Sequence, residues 1–467
     1  MASLESSPAH YDVLIVGAGQ AADPLAKALA DAGKSVALAE RKYLGGSCAN
    51  FGCTPTKAVI ASARVAHLAR RGAEFGITIP TVTPDLAAVL ASARAIVMES
   101  RDGLDEEYEN NPNPRLLRGH ARFEGKDANG FRVRVGDAPA VTADTVVLDT
   151  GTRSTIPPIP GLDTVPYIIA ETWLDQNDLP EHLVILGSGY IGIEMAQFYR
   201  RMGSRVTVID RTARLMERED AEISAALQSV LEGEGIVFKQ NATAERAEKT
   251  AGGVRLTIRS GDETREIAGS HLFVAVGRTP NTSELGLETI GLTLEKNGIV
   301  PVDERLQTLV SGVYAVGDIR GGPMFTHTSW DDFRVLHSQL TGDGTRTTAG
   351  RNVPYAVFTD PQIGRVGMTE AEAREAGKRI KTGRYDVKHN GHMRTFREKT
   401  GFIKIVVDAA TDRVLGASLF CDEAAELVHL YELLMNADAP YTVLRDAIIT
   451  HPTRGEAAQG AVEGAGE

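Results

Sequence analysis

The sequence predicts an α/β fold in which one strand–helix–strand unit occurs twice, each copy carrying a glycine-rich turn. The first copy, YDVLIVGAGQAADPLAKALADAGKSVALAE, begins at Tyr11. The second, HLVILGSGYIGIEMAQFYRRMGSRVTVID, begins at His182. Gly17, Gly19 and Ala22 of the first correspond to Gly187, Gly189 and Gly192 of the second, 170 residues later. Glu40 and Asp210 each lie 23 residues after the first glycine of their copy.

Each part of the unit has a physical reason. The apolar run before Gly17 reads as a buried strand. A helix follows, ended by Gly33, and the run SVALA then delivers Glu40. Pro24 falls in the first helical turn, where no partner carbonyl waits for its missing N–H. The second copy repeats this with a helix to Gly203 and a strand VTVI ending at Asp210. The first glycine makes the tight turn, the second lets a pyrophosphate approach the backbone, and the third small residue lets helix and strand pack. The helix N-terminus offers unsatisfied N–H groups and a positive dipole end. The acid accepts from a ribose hydroxyl. Two copies in this context predict two Rossmann-like dinucleotide-binding domains.

The bulk composition agrees with a globular chain. Its 467 residues imply about two to four domains. Hydrophobic residues make up 42% and charged residues 24%. A net charge of −12 argues against a general nucleic-acid binder and against attraction to anionic membranes. No apolar run reaches the roughly 18 residues needed to span a bilayer. The N-terminus MASLESSPAHYDV lacks the basic flank and apolar stretch of a secretory leader, so a cytoplasmic location is expected. Three cysteines cannot build a disulfide framework.

Two of those cysteines, Cys48 and Cys53, lie together in GGSCANFGCTPTK, residues 45–57. A helix is predicted from about Pro55, which puts Cys53 at its N-terminus, where the dipole favours a thiolate. Lys57 follows four residues later on the same face. A structural metal site would need further ligands, and none is positioned to complete one. Two inert buried thiols are a second alternative, against which the flanking glycines and the helix start argue. A pair that cycles between dithiol and disulfide fits best, since four intervening residues can bring the sulfurs together.

The cysteine stretch resembles the active-site signature of the flavin-dependent pyridine nucleotide-disulfide oxidoreductases, a family that includes glutathione reductase, dihydrolipoamide dehydrogenase and mercuric reductase. The resemblance spans nearly the whole chain. It implies FAD in the first site and NADH or NADPH in the second. It implies that Cys53 is the flavin-facing thiol and Cys48 the interchange thiol.

Further segments carry the resemblance. VYAVGDIRGGPMFTH matches the family's second FAD segment, implying that Gly317, Asp318 and His327 serve that cofactor, with Asp318 accepting from ribityl hydroxyls. TVVLDTGTRSTIPPIPG matches the segment leaving the FAD domain. There Thr150 and Gly151 hold the cofactor and Asp149 replaces the usual alanine, as in mercuric-reductase-like chains. Gly46, Ser47 and Lys57 complete the implied FAD set with Gly17, Gly19, Ala22 and Glu40. VAVGRTPN, which includes Gly277, resembles the return crossing. For the nicotinamide nucleotide the implied set is Gly187, Gly189, Tyr190, Gly192, Glu194, Asp210, Arg211 and Gly277. Glu194 would pair with Lys57 beside the flavin, and Tyr190 would cover the nicotinamide pocket until the cofactor arrives. The tail ITHPTRGEAAQG matches a His-Pro-Thr-x-x-Glu signature. It implies that His451, oriented by Glu456, protonates the departing thiolate. In the family that histidine comes from the partner subunit, so a homodimer is expected.

The expected domains are a first FAD segment over 1–155, a nucleotide domain over 156–280, a second FAD segment over 281–349 and an α+β dimerisation domain over 350–467. Within the last, FIKIVVD and VLGASLF read as paired strands. The helix after Asp422 places Leu427, Leu430, Tyr431 and Leu434 on one apolar face. Cys421 is expected to be buried and inert. His389 and His392 are expected to be surface residues rather than metal ligands.

The expected reaction passes electrons from NAD(P)H through FAD and the Cys48–Cys53 disulfide to a small oxidised-sulfur substrate, a low-molecular-weight disulfide or hypothiocyanous acid. The end GAVEGAGE carries no cysteine pair to hand over Hg(II), and the resemblance does not expect His451 in a true mercuric reductase. Hg(II) reduction and dihydrolipoamide oxidation stay as alternatives, as does a flavoprotein sensor or interaction subunit. Asp210 favours the free 2′-hydroxyl of NADH, whereas Arg211 and Arg214 can hold a 2′-phosphate; the balance leans slightly to NADPH being usable.

Overall fold

In the computed structural model, which describes residues 9–465, the strand His10–Val16 feeds the first glycine turn and the helix Ala22–Asp31. The leader-free reading of the N-terminus falls partly on residues 1–8, outside the described residues. The strand's apolar run has a two-sided destination. Leu14 and Val16 pack into one core and Val13 and Ile15 into another, because successive side chains leave a strand on opposite faces. A strand covered on both faces needs apolar residues at every position, which is why the run does not alternate.

Around it lies a seven-stranded sheet. The order is Arg115–Arg118, Val36–Glu40, His10–Val16, Val141–Leu148, Gly130–Val135 and Ala121–Asp127, with Val313–Ala315 also pairing to Val141–Leu148. The strands His10–Val16, Val36–Glu40, Arg115–Arg118, Val141–Leu148 and Val313–Ala315 pair in parallel, and the last two of the ordered path antiparallel. All seven belong to one unit, formed by residues up to Thr56, Ala91–Thr155 and Arg278–Gly350. The chain leaves and re-enters this unit through the paired strands Thr152–Ser154 and Arg278–Pro280.

The second unit comprises Lys57–Leu90, Ile156–Gly277 and the chain from Arg351. It holds a parallel four-stranded sheet in the order Ile236–Lys239, Arg205–Ile209, His182–Leu186, His271–Val274. An antiparallel three-stranded sheet spans Thr243–Gly269. Its C-terminal part is a five-stranded antiparallel sheet ordered Tyr355–Val357, Gln362–Gly367, Val414–Cys421, Phe402–Asp408, Ile380–Asp386. The helices Ala424–Asn436 and Gly455–Glu463 pack against it. Leu427, Tyr431 and Leu434 enter that core, with Leu430 packed at its margin. Phe402–Asp408 and Val414–Cys421 pair as neighbours. The whole is α/β with an α+β C-terminal part.

Candidate active site

Both glycine turns fold as the motif demands. Gly17 and Gly187 adopt φ of +96° and +102°. A Cβ on either would lie 2.2 Å from the carbonyl oxygen of Asp149 or 2.3 Å from that of Ala275. In the second copy, a Cβ on Gly192 would lie 2.1 Å from the Gly187 oxygen, so the third position must stay small. Ala22, its counterpart, is fully buried. A Cβ on Gly189 would meet nothing within 4 Å, leaving the open approach a pyrophosphate needs.

The acids close their turns. Glu40 accepts from the Ala18 N–H at 2.9 Å. Asp210 accepts from the Ser188 N–H at 2.5 Å, from the Ser188 hydroxyl at 2.8 Å and from the Thr212 N–H at 2.9 Å. Burial opposes the Asp210 charge, but the donors from Thr212 and Ser188 outweigh it and hold this carboxyl below its usual range. Arg211 is exposed beside it, and so is Arg214.

Asp149 gives the first turn a property the motif does not contain. Its carboxylate accepts from the Ala22 N–H at 2.9 Å, and a Cβ on Gly19 or Gly317 would lie 2.6 or 2.7 Å from its oxygens. Burial pushes this carboxyl well up, the Ala22 and Ala21 N–H groups oppose the rise, and Asp318 and Asp332 add to it. Asp318 is also pushed up by burial, against the Thr152 hydroxyl that donates to it at 3.0 Å. Asp332 accepts from the Gly317 N–H at 2.9 Å and from Arg320 at 2.6 and 2.9 Å. Thr150 and Asn281 lock the exit of the unit by reciprocal bonds of 2.8 and 2.9 Å.

The cysteine loop is pressed onto this turn. Gly45 and Gly46 have φ of +85° and +62°, and a Cβ on Gly46 would lie 2.9 Å from the Gly19 Cα. A short helix, Gly46–Asn50, carries Ser47 and Cys48. The Ser47 carbonyl accepts from the Gly52 N–H at 2.7 Å, folding the loop back before the helix Cys53–Arg70. Cys53 is therefore the first residue of an 18-residue helix, and its thiol is exposed. The two sulfurs lie within hydrogen-bonding reach of each other. Contact with Cys53 and then burial push the Cys48 thiol up, while the Thr326 hydroxyl opposes them. Cys53 Sγ itself lies 3.3 Å from that hydroxyl. Beside Thr326, the His327 ring stacks on Phe325 at 5.3 Å. Cys421 is buried and distant in sequence, its thiol pushed up by burial.

One turn along the helix, Lys57 donates to both oxygens of Glu194, at 2.8 and 3.0 Å. Glu194 is 7% exposed and also accepts from the Phe358 N–H at 2.8 Å. The Lys57 ammonium rests 4.5 Å from the Phe358 ring centroid. Tyr190 opens the helix Tyr190–Met202. Gly277 has φ +135° at the end of this unit's share of the chain.

At the C-terminus, His451 Nδ1 lies 2.8 Å from Glu456 Oε1, while Glu456 Oε2 accepts from the Thr453 N–H at 2.8 Å. That N–H first, and His451 second, hold the Glu456 carboxyl below its usual range. His451 is exposed. His389 is exposed as expected, but His392 is not a plain surface residue. It stacks on Phe396 at 4.5 Å, its Nδ1 lies 3.2 Å from the Pro452 oxygen, and its Nε2 is sealed from solvent. It therefore packs beneath the loop that carries His451. Sequence reasoning also missed Thr326, Glu219 and Tyr355, whose roles depend on partners remote in the chain. Among the described residues no group of three or more His, Cys, Asp or Glu could hold a metal ion.

These residues fit two dinucleotides. Each glycine turn opens a helix, each has its acid at the end of the following strand, and the backbone at Gly189 is open to close approach. No helix among the described residues is long and apolar enough to cross a membrane.

Residues 11–332 match the family model described as pyridine nucleotide-disulphide oxidoreductase, and residues 353–462 match its dimerisation domain. The chain is 34% identical over 453 residues to a probable pyridine nucleotide-disulfide oxidoreductase, RclA, of Escherichia coli, covering 96% of this chain and 97% of that one. A solved structure described as the HOCl-induced flavoprotein disulfide reductase RclA superposes with a TM-score of 0.88 at 33% identity, covering 97% and 99% of the two chains. A mercuric reductase of Bacillus cereus is 31% identical, over 97% of this chain and 71% of that one. A dihydrolipoyl dehydrogenase of Chlorobaculum parvum is also 31% identical, over 98% and 97%.

Proposed function

Because the chain belongs to the pyridine nucleotide-disulphide oxidoreductase family, whose enzymes use FAD and NAD(P)H, we propose that it reduces a small oxidised-sulfur compound through Cys48 and Cys53. The observation that carries this reading is the dithiol at a helix N-terminus, folded onto the first glycine turn. The chain's relatives include a mercuric reductase and a dihydrolipoyl dehydrogenase, whose names point to different substrates.

Gly17, Gly19, Ala22 and Glu40 would hold FAD at the first turn, and when bound it would supply hydride-transfer chemistry between NAD(P)H and the Cys48–Cys53 pair. The protein's own residues do the rest. Cys48 attacks the substrate disulfide RSSR, forming a Cys48–S–S–R bond and releasing RS⁻. Cys53 then attacks the Cys48 sulfur, restoring the internal disulfide and releasing the second RS⁻. Two protons reach the two thiolates, so NAD(P)H, one proton and RSSR become NAD(P)⁺ and two RSH. Hypothiocyanous acid would enter the same cycle as an electrophilic sulfur and leave as thiocyanate and water.

The geometry supports a division of labour between the thiols. Cys53 has the helix dipole, which favours its anion. Cys48 is held protonated by its neighbour and by burial, so it needs a base before it can attack. His451, oriented by Glu456, is the group we assign to that task and to protonating the leaving thiolate. Following the dimerisation-domain match, we assign this histidine to the partner copy's cysteines in a homodimer working in the cytoplasm. Lys57 and Glu194 are assigned to the flavin side, and Asp210 with Arg211 to the nucleotide ribose.

The deciding experiment reduces the enzyme with NADPH or NADH in a stopped-flow instrument, then offers low-molecular-weight disulfides, hypothiocyanous acid, dihydrolipoamide with NAD⁺, and Hg(II) separately. Reoxidation by a sulfur compound at a rate that matches turnover is expected. Turnover only with Hg(II), or only in the dihydrolipoamide direction, would replace this reading by one of its relatives' activities.

A further inference from the structure

Tyr190 is not simply at the mouth of the second glycine turn; it is tied there. Its hydroxyl donates to Glu219 Oε1 at 3.3 Å, and the Tyr355 hydroxyl donates to the same oxygen at 2.7 Å. The two rings lie 5.7 Å apart, tilted by 34°. Glu219 is 3% exposed. Its other oxygen, Oε2, is sealed from solvent with no hydrogen-bond partner among the described residues, 3.9 Å from Arg365 Nη1. Arg365 in turn leaves its Nε without a partner. Tyr355 and Arg365 stand directly opposite each other on neighbouring antiparallel strands, so the sheet fixes both around the carboxylate.

A buried carboxylate with one oxygen shared by two hydroxyls and the other idle is under-satisfied, and such groups are rare unless they serve a purpose. Here the arrangement makes one bond easy to give up. If Tyr190 swings away, Glu219 keeps the short bond to Tyr355 and has Arg365 within a small movement of its idle oxygen. The carboxylate is also on the right piece of chain. The connection that begins at Asp210 runs through Met216, whose N–H donates to the Ser188 oxygen in the glycine turn at 3.2 Å, and ends at Glu219. The segment that would receive the ribose therefore carries the group that holds Tyr190.

We infer that Glu219, braced by Tyr355 and Arg365, is a latch that holds Tyr190 over the nicotinamide pocket, making it a positioning residue for nucleotide entry. The inference rests on the reading that Tyr190 covers that pocket. A latch reduces apparent nucleotide affinity by the fraction of time the pocket is open. Cutting it should tighten binding.

The test titrates the holoenzyme with NAD⁺ and with NADP⁺ by calorimetry, where no hydride moves. Tyr190→Phe keeps the ring and loses the bond; the apparent Kd should fall about threefold to tenfold, the weight of one hydrogen bond. Glu219→Ala should do the same, and the double variant should show no more than either alone. Glu219→Gln keeps the accepting oxygen and should return the Kd to within about twofold of wild type. In turnover, KM for the nucleotide should fall in Tyr190→Phe and in Glu219→Ala, in step with the tighter binding. Unchanged or weaker binding in Tyr190→Phe, or additive effects in the double variant, would overturn the latch while leaving the oxidoreductase reading intact. Wild-type protein that binds neither nucleotide would overturn both.

Discussion

The Lys57 ammonium and the Glu194 carboxylate meet at 2.8 and 3.0 Å, through both carboxylate oxygens. The acid is nearly sealed, whereas the lysine side chain keeps 32% of its exposure. Removing the acid strands a cation and leaves the Phe358 N–H without its acceptor. Glu194→Ala is expected to lower unfolding free energy by about 1–3 kcal/mol, and Glu194→Gln, which keeps an acceptor, by about half as much. Urea denaturation measures both. Equal stability of all three proteins would show that the pair contributes nothing to the fold.

Asp149 predicts a pH dependence with a definite sign. Burial raises its folded-state value above that of the unfolded chain, so the folded protein retains a proton that the unfolded chain releases. The stability this group contributes is complete below about pH 4 and is lost as pH rises toward the folded value. Asp149→Asn cannot ionise but keeps an oxygen for the Ala22 N–H. The melting temperatures of the two proteins should converge near about pH 4, with the variant gaining on wild type toward neutrality. A wild type that gains instead would mean that an ionised Asp149 supports the helix N-terminus.

The thiol assignments separate two activities. Cys48→Ser and Cys53→Ser should each abolish reduction of a disulfide substrate while retaining NAD(P)H oxidation with a flavin-directed dye. Persistent disulfide reduction in both variants would end the dithiol scheme.

For His451→Ala, flavin reduction by NAD(P)H should be unchanged, and disulfide turnover should fall about 10²–10⁴-fold, the usual weight of a general acid–base. Mixing His451→Ala with Cys48→Ser protein should restore part of the turnover if the site is shared between subunits. Failure to restore any would place both groups in one chain.

Arg211 tests nucleotide choice. It is exposed beside an Asp210 whose charge is already well supported. Arg211→Ala should lower kcat/KM for NADPH about tenfold and leave NADH nearly unaffected, as expected for one exposed charged contact to a 2′-phosphate. Equal losses with both nucleotides would point to a general role in binding.

The parts of this molecule that are local in sequence could be read from it. The turn at Gly17, the acid at Glu40, the helix start at Cys53 and the apolar face of Leu427, Tyr431 and Leu434 each depend on neighbours within one element or one unit. The rest depends on meetings that no spacing announces. Thr326 reaches Cys53 from 273 residues away, and Tyr355 joins Glu219 from 136. His392 reads as a surface histidine because its burial comes from Phe396 and the His451–Pro452 loop, and the second of these folds in from far along the chain. Asp149 is legible as an unusual residue, but its meaning lies in the helix start and in Gly317, which it touches only after folding.

The near-contact of Gly46 with Gly19 ties thiol chemistry to cofactor retention. Backbone meets backbone there, and no rotamer change can make room for a methyl group. A side chain at Gly46 would therefore push the cysteine loop and the first glycine turn apart. Substitutions that retune the substrate of this chain are therefore expected elsewhere, on the surfaces facing Cys48.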